Sequence, residues 1–563
     1  MNPSHHRPLF AMLIALPLIA ACTKEPALPP VPKTATAIAE AAPSAGPAAA
    51  PAPAATEPHE DAIAWRRGNV DAAFAEAKAA GKPVFLYWGA AWCPPCNQMK
   101  ATLFKQREFI ERTQAFVPVY IDGDTPAAQQ LGTRFAVSGY PTMVLFRPDG
   151  TEITRLPGEA DPERYLQVLA IGMNGARPVS DTLKTALADG HGLTSDDWRM
   201  LAWYSWDTDD QQLVPTARVP ATLQSLAAHC PTTDAGPRAR LMLKTAAAAG
   251  EDGKSAPAIR IERRAALINL QAVLASPTAS RENFDLLTDA MPEIVRATTA
   301  PGSAERRAVT ADADGVLARL AADTTLSNTD RLGATIARVQ LAAIDAKPVT
   351  GHGSVVPAAL SPELRATIDS EVARADREST NPYERQTVIN AAAYLLTAAG
   401  LLDRSDALLR AELTRSHSPY YFMLDLASNA KKRGDDAAAI DWYAKAYDAA
   451  KGPATRLQWG ATYVNALIDL APDDASRIEQ AARQVIGEVE PEAASFDGRN
   501  RKSLSRMATK IATWSAKGQH ADAATHIAAA SRALCDRVPA EAPEHARCGE
   551  LLKVGSSMEK PRA

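Results

Sequence analysis

Two cysteines separated by two prolines, Cys93-Pro94-Pro95-Cys96, are the residues of this 563-residue chain best suited to do chemistry. Thiols two residues apart at the start of a helix can close a disulfide. The helix N-terminus stabilises a thiolate on the first of them and lowers its pKa below the free value of about 8.5. Cys93 is therefore the expected nucleophile and Cys96 the thiol that resolves a mixed disulfide. The same spacing is half a zinc site, but no second Cys-x-x-Cys and no suitably spaced His pair follows it, so no metal is expected. Of the other cysteines, Cys535 and Cys548 are 13 residues apart near the end of the last helices. In an oxidising compartment a structural disulfide between them would contribute about 3 kcal/mol; the alternative is a pair of buried thiols. His545 would add a third metal ligand there, with no fourth in sight. Cys230 reads as a small buried apolar residue.

The flanking sequence supplies elements to hold the pair at a helix N-terminus. Val70 to Ala80 has helical character closed by Gly81, and Lys82-Pro83 leads into Val84-Phe85-Leu86-Tyr87-Trp88. Such a continuous apolar run fits a strand buried on both faces. A helix is predicted from Cys93 to about Thr113, a strand over Phe116 to Ile121 and a helix near Ala127 to Phe135. Strands follow over Thr142 to Phe146 and Thr151 to Arg155, joined by the hairpin signal Pro148-Asp149-Gly150, then a closing helix from Asp161 to Met173. Pro95 suits the first helical turn, where its missing N–H would have no partner, and Pro94 stiffens the loop further.

These residues resemble the thioredoxin family, in the form of a periplasmic thioredoxin-like domain over residues 62–175. The resemblance rests on Gly81-Lys82-Pro83-Val84, Trp92-Cys93-Pro94-Pro95-Cys96, Tyr140-Pro141-Thr142, Pro148-Asp149-Gly150 and Gly158. It implies an α/β thioredoxin fold and thiol–disulfide exchange on protein substrates. It also implies that Trp92 shapes the docking surface, that Pro141 is the family's cis-proline, and that the backbone of Tyr140 pairs with a substrate strand. One departure stands out. Many thioredoxins carry a buried acid six residues before the first cysteine as a proton acceptor, and Tyr87 stands there instead. A tyrosine titrating near 10 is a poor base at neutral pH, which points to a dedicated partner rather than a housekeeping role.

At the N-terminus a short basic start, an apolar stretch from Pro8 to Ile19 and Ile19-Ala20-Ala21-Cys22 resemble a bacterial lipoprotein signal, residues 1–22. That resemblance implies acylation of Cys22 and periplasm-facing anchoring. The family's sorting rule, with Thr23 rather than aspartate next, points to the outer membrane. An ordinary signal peptide is the alternative. Residues 23–61 are dominated by Ala and Pro and read as a tether. The 61 basic and 65 acidic residues nearly cancel without a basic run, which removes any electrostatic case for nucleic-acid binding.

From Leu183 onward the chain reads as all-α, in two regions, 180–345 and 362–555, separated by a Gly- and Pro-containing loop. Gly400 and Gly434 end two similar segments 34 residues apart. That is the tetratricopeptide period, so the second region resembles a tetratricopeptide-like array; an irregular bundle is the alternative. Trp198, Trp203 and Trp206 crowd one segment and read as packing residues.

The leading expectation is a membrane-anchored periplasmic thiol–disulfide oxidoreductase of the reductase or isomerase kind. No nicotinamide or flavin fingerprint appears, so no cofactor is expected and a membrane protein is expected to supply electrons. The alternative is a helical scaffold or chaperone in which the dithiol is secondary.

Overall fold

A computed structural model describes residues 62–156, 158, 162–174, 177–209, 212–250, 259–346, 360–516 and 520–552. Cys22, the signal-like segment and the tether lie outside the described residues. The strands are β1 (Arg66–Arg67), β2 (Val84–Gly89), β3 (Val117–Asp122), β4 (Thr142–Phe146) and β5 (Glu152–Leu156), in sheet order β1-β3-β2-β4-β5. β3 runs parallel to β1 and β2, while β4 is antiparallel to both β2 and β5. The helices α1 (Val70–Ala80), α2 (Pro94–Ala101), α3 (Arg107–Arg112), α4 (Pro126–Arg134) and α5 (Pro162–Met173) complete a mixed α/β fold of the thioredoxin kind.

β2 is buried along its whole length, as its unbroken apolar run requires. Val84, Leu86 and Trp88 pack with Val70, Ala73 and Ala77 of α1. Phe85 and Tyr87 pack on the opposite face with Met99 of α2 and Tyr165 of α5. The limits of α1 follow from its ends: the Asn69 side chain accepts from the Ala72 N–H, and Gly81 closes it with a left-handed φ of 65°.

Two local expectations are corrected. The helix expected from Cys93 to Thr113 is broken at Thr102, whose backbone leaves the helical region (φ −111°, ψ −81°) while its hydroxyl donates to the Gln98 carbonyl at 2.8 Å. The break turns Leu103 and Phe104 under the sheet into the aromatic core. β1 was not expected; two residues carry no alternation to read, and the strand exists through its pairing with Val119 and Tyr120.

The remaining described elements from residue 179 onward are helical, from Val179–Ala188 to Pro543–Leu551, and none is long and apolar enough to cross a membrane. The core does not break after α5. Trp198, Trp203 and Trp206 are buried in the same cluster as Phe85 and Tyr165. Buried Arg155 of β5 is a second tie, donating to the carbonyls of Phe135 (2.8 Å), Ala136 (2.6 Å) and Thr208 (3.1 Å) and pairing with Glu152 at 3.2 Å.

In the C-terminal half, Pro382–Ala398 pairs with Leu402–Glu412 across Gly400 (φ 76°), and Pro419–Arg433 with Asp436–Ala449 across Gly434 (φ 80°). Pro453–Leu470, Ala475–Gly487, Gly498–Ser515 and Ala521–Cys535 continue the stack. At its end Cys535 and Cys548 form a disulfide with Cα atoms 5.6 Å apart. Cys230 is buried and unbridged, and burial pushes its thiol up to about 12, where it is inert at neutral pH.

Candidate functional site

The chain leaves β2 at Ala90, turns through Ala91 and Trp92, and enters α2 with Cys93 as the N-cap. Cys93 has extended backbone (φ −80°, ψ 111°), and its Sγ accepts from the Cys96 N–H at 3.2 Å. The two sulfurs are joined, with Cα atoms 5.2 Å apart. A sulfur in this place meets an unpaired helix N–H and the positive end of the helix dipole, and both favour the thiolate once the bond is reduced. Both residues are buried, Cys93 at 2% exposure and Cys96 at 0%.

The Tyr140–Pro141 peptide is cis. Gly158 makes room for it, since a Cβ there would lie 2.7 Å from Pro141 Cγ. Gly123 does the same for the Tyr140 ring, which would approach a Cβ at 2.3 Å. Tyr140 donates to the Gly123 carbonyl at 3.2 Å, and burial raises its phenol above the ordinary value. Its ring lies 6.4 Å from that of Trp92. Tyr87 is buried in the aromatic core beneath, 4.9 Å from Phe104 and 5.8 Å from Trp65.

Sequence reasoning missed the other half of the site, which comes from the C-terminal helices. Gln386 Nε2 donates to the Trp92 carbonyl at 3.0 Å and Thr387 Oγ1 to the Pro94 carbonyl at 2.7 Å. His417 Nε2 lies 2.9 Å from the Ala91 carbonyl, which also accepts from Asn97 Nδ2 at 3.0 Å. Tyr421 stacks on Trp92 at 6.3 Å, Trp459 meets its edge at 5.2 Å, and the Arg499 guanidinium lies over the rings of Trp92 (5.2 Å) and Tyr140 (4.9 Å). Cys93 and Cys96 thus share one apolar cluster with Tyr420, Ala446, Ala450 and Trp459.

The contact is reciprocal. Asp124 accepts from the Thr455 N–H at 2.8 Å and its hydroxyl at 2.6 Å, capping a helix that begins at Gly452 without a side-chain cap of its own. Gln129 Oε1 accepts from the N–H groups of Arg499 (3.0 Å) and Asn500 (3.2 Å), and Thr133 Oγ1 from that of Gly498 (2.9 Å). One sequence signal precedes these contacts: Pro382-Tyr383, Pro419-Tyr420-Tyr421 and Pro453 each open a helix that faces the site, with aromatic residues in or just after the first turns.

Comparison with known proteins places the redox half. Residues 70–171 match the family described as thioredoxin-like domain. A thioredoxin-like protein of Synechocystis is 36% identical over 99 residues, covering 17% of this chain and 90% of that protein. The chain belongs to the thioredoxin-like family through this domain. The thiol:disulfide interchange protein DsbD 1 of Pseudomonas aeruginosa is 36% identical over 100 residues, 16% of each protein, so the chain spans only that share of the interchange protein's length. A thioredoxin solution structure from Thermus thermophilus, 30% identical, matches 19% of this chain and 86% of that chain with a TM-score of 0.18.

Proposed function

We propose that this protein is a thiol–disulfide oxidoreductase that reduces or isomerises disulfides of protein substrates while tethered, facing the periplasm, through a lipid on Cys22. The observation that carries the reading is the Cys93–Cys96 pair at the N-terminus of α2, in a thioredoxin-like domain with a cis Tyr140–Pro141 peptide. Cys93 attacks a substrate disulfide, Cys96 resolves the mixed disulfide, and Trp92, Tyr140 and Pro141 form the substrate contact. A membrane protein returns electrons to the pair. The name of the Pseudomonas relative, a thiol:disulfide interchange protein, supports the reading, as does a second disulfide that suits an oxidising compartment. The helices of residues 362–555 are a tetratricopeptide-like region that selects or positions partners. A second reading, a helical scaffold with a subordinate dithiol, is favoured by the burial of Cys93 beneath those helices.

Substitution separates the two. Cys96→Ala should accumulate mixed disulfides through Cys93 with periplasmic proteins, detected as dithiothreitol-sensitive bands, and Cys93→Ser should abolish both these and the function. A Cys93→Ser protein that keeps full function in cells would support the scaffold.

A further inference from the structure

We propose that the C-terminal helices are an internal competitor for the redox face, so that the dithiol exchanges with protein partners only from an opened form in which these helices have withdrawn. The proposal rests on the oxidoreductase reading above. A partner thiolate must approach Cys93 Sγ along the axis of the bond it breaks, and the Cys93 residue is only 2% exposed. What covers it is a fitted surface. The carbonyls of Ala91, Trp92 and Pro94, which frame the dithiol, are each met by a side chain of the C-terminal region, His417 from the loop before Pro419–Arg433 and Gln386 and Thr387 from Pro382–Ala398. The flat face of Trp92, assigned above to substrate contact, is covered by Tyr421 and edged by Trp459. In return Asp124, Gln129 and Thr133 of the redox domain cap helices that start at Gly452 and Gly498. Contacts made from both sides, between residues hundreds of positions apart, define one closed arrangement. Opening parts these hydrogen bonds together with the aromatic cover of Trp92, as interfaces between packed units of one chain do.

In the opened form the exchange is ordinary. A thiolate of a partner dithiol attacks Cys93 Sγ, the Cys93–Cys96 bond breaks, and its electron pair goes to Cys96, which takes a proton. The partner's second thiol then displaces Cys93. Two electrons and two protons have passed, and the partner leaves as a disulfide.

The test uses the soluble mature chain, oxidised, with reduced thioredoxin and dithiothreitol as reductants, and follows Cys93 and Cys96 by mass spectrometry after alkylation. The variants are Gln386→Leu with Thr387→Val, which removes two donors to the dithiol loop, and separately Trp459→Ala; circular dichroism checks the fold of both. Reduction by thioredoxin should be at least tenfold faster in the variants than in the wild type. A second measurement needs no change in the helices: when Cys96→Ala is trapped on a thioredoxin through Cys93, amide exchange at residues 453–459 and 498–504 should rise, because Thr455 and Gly498 lose their acceptors. Equal rates in all three proteins with unchanged exchange on trapping overturn the competitor and leave the enzyme reading standing. A pair that stays oxidised in every protein until the chain is denatured overturns the enzyme reading, and this proposal with it.

Discussion

Asp425 has an acidity unlike that of a surface carboxylate. Burial raises its carboxyl to about 7, opposed by the hydrogen bond it accepts from Asn390 at 2.5 Å between two helices that cover the dithiol. The folded chain therefore holds a proton that the unfolded chain releases near pH 4. Because the folded pKa is the higher one, the residue's contribution to stability is complete below about pH 4 and is lost as pH rises toward about 7. Asp425→Asn keeps an acceptor for Asn390 and removes the charge. Denaturant unfolding should find variant and wild type alike at pH 4 and the variant more stable by about 2 kcal/mol at pH 8, a figure discounted for the solvent that reaches the side chain. A difference that does not grow with pH would refute the assignment.

Among the elements, the helix Pro453–Leu470 is the clearest case of an end completed by another part of the chain. Gly452, at φ 86°, has no side chain to offer, and a Cβ there would lie 2.1 Å from Asp124 Oδ2. The glycine admits the carboxylate, which then serves as both cap and counter-charge to the helix dipole. Asp124→Ala should cost about 1 to 2 kcal/mol in urea unfolding, and Asp124→Asn should recover most of it if the hydrogen bonds outweigh the charge. An Asp124→Ala protein as stable as wild type would mean that water caps the helix equally well. Caps of this kind explain what could be read from the sequence and what could not. Asn69 and Gly81 lie next to the helix they bound, so α1 was legible, and the apolar run of β2 announced its own burial. The dithiol was legible because its chemistry demands particular residue types, and the cis-proline through the family resemblance that accompanies it. The left-handed glycines at 400 and 434 marked two hairpins. The covering of the dithiol left only the proline and aromatic helix openings, which do not say what those helices face, since Gln386, Thr387 and His417 bond backbone carbonyls, which every residue has, across about 290 positions or more. The break at Thr102 was hidden for another reason: the residues around it favour helix, and the pull of Leu103 and Phe104 into the core overrides them.

For the whole molecule, the closed arrangement sets two effects on the dithiol against each other. The helices at Pro382, Pro419, Pro453 and Gly498 turn their N-terminal ends toward the redox face, and Arg499 adds a formal charge over Trp92 and Tyr140. Both favour a thiolate on Cys93 and so make the disulfide easier to reduce. The apolar cover of Tyr420, Ala446, Ala450 and Trp459 works the other way, because a thiolate loses hydration there that a neutral disulfide never had. A reductant needs the second effect to hold its own, leaving the reduced pair energetic enough to pass electrons on. The equilibrium reduction potential of Cys93 and Cys96 in the intact chain measures the balance directly. Titration against glutathione, with each pair followed separately by mass spectrometry of alkylated peptides, keeps Cys535–Cys548 out of the reading. The reductase assignment expects a value near that of thioredoxin, about −270 mV, and so a donor poised below it. A value near −120 mV, at the strongly oxidising end, would mean that the helix ends and Arg499 dominate. The protein would then give its disulfide to substrates, and the membrane partner would have to be an acceptor of electrons.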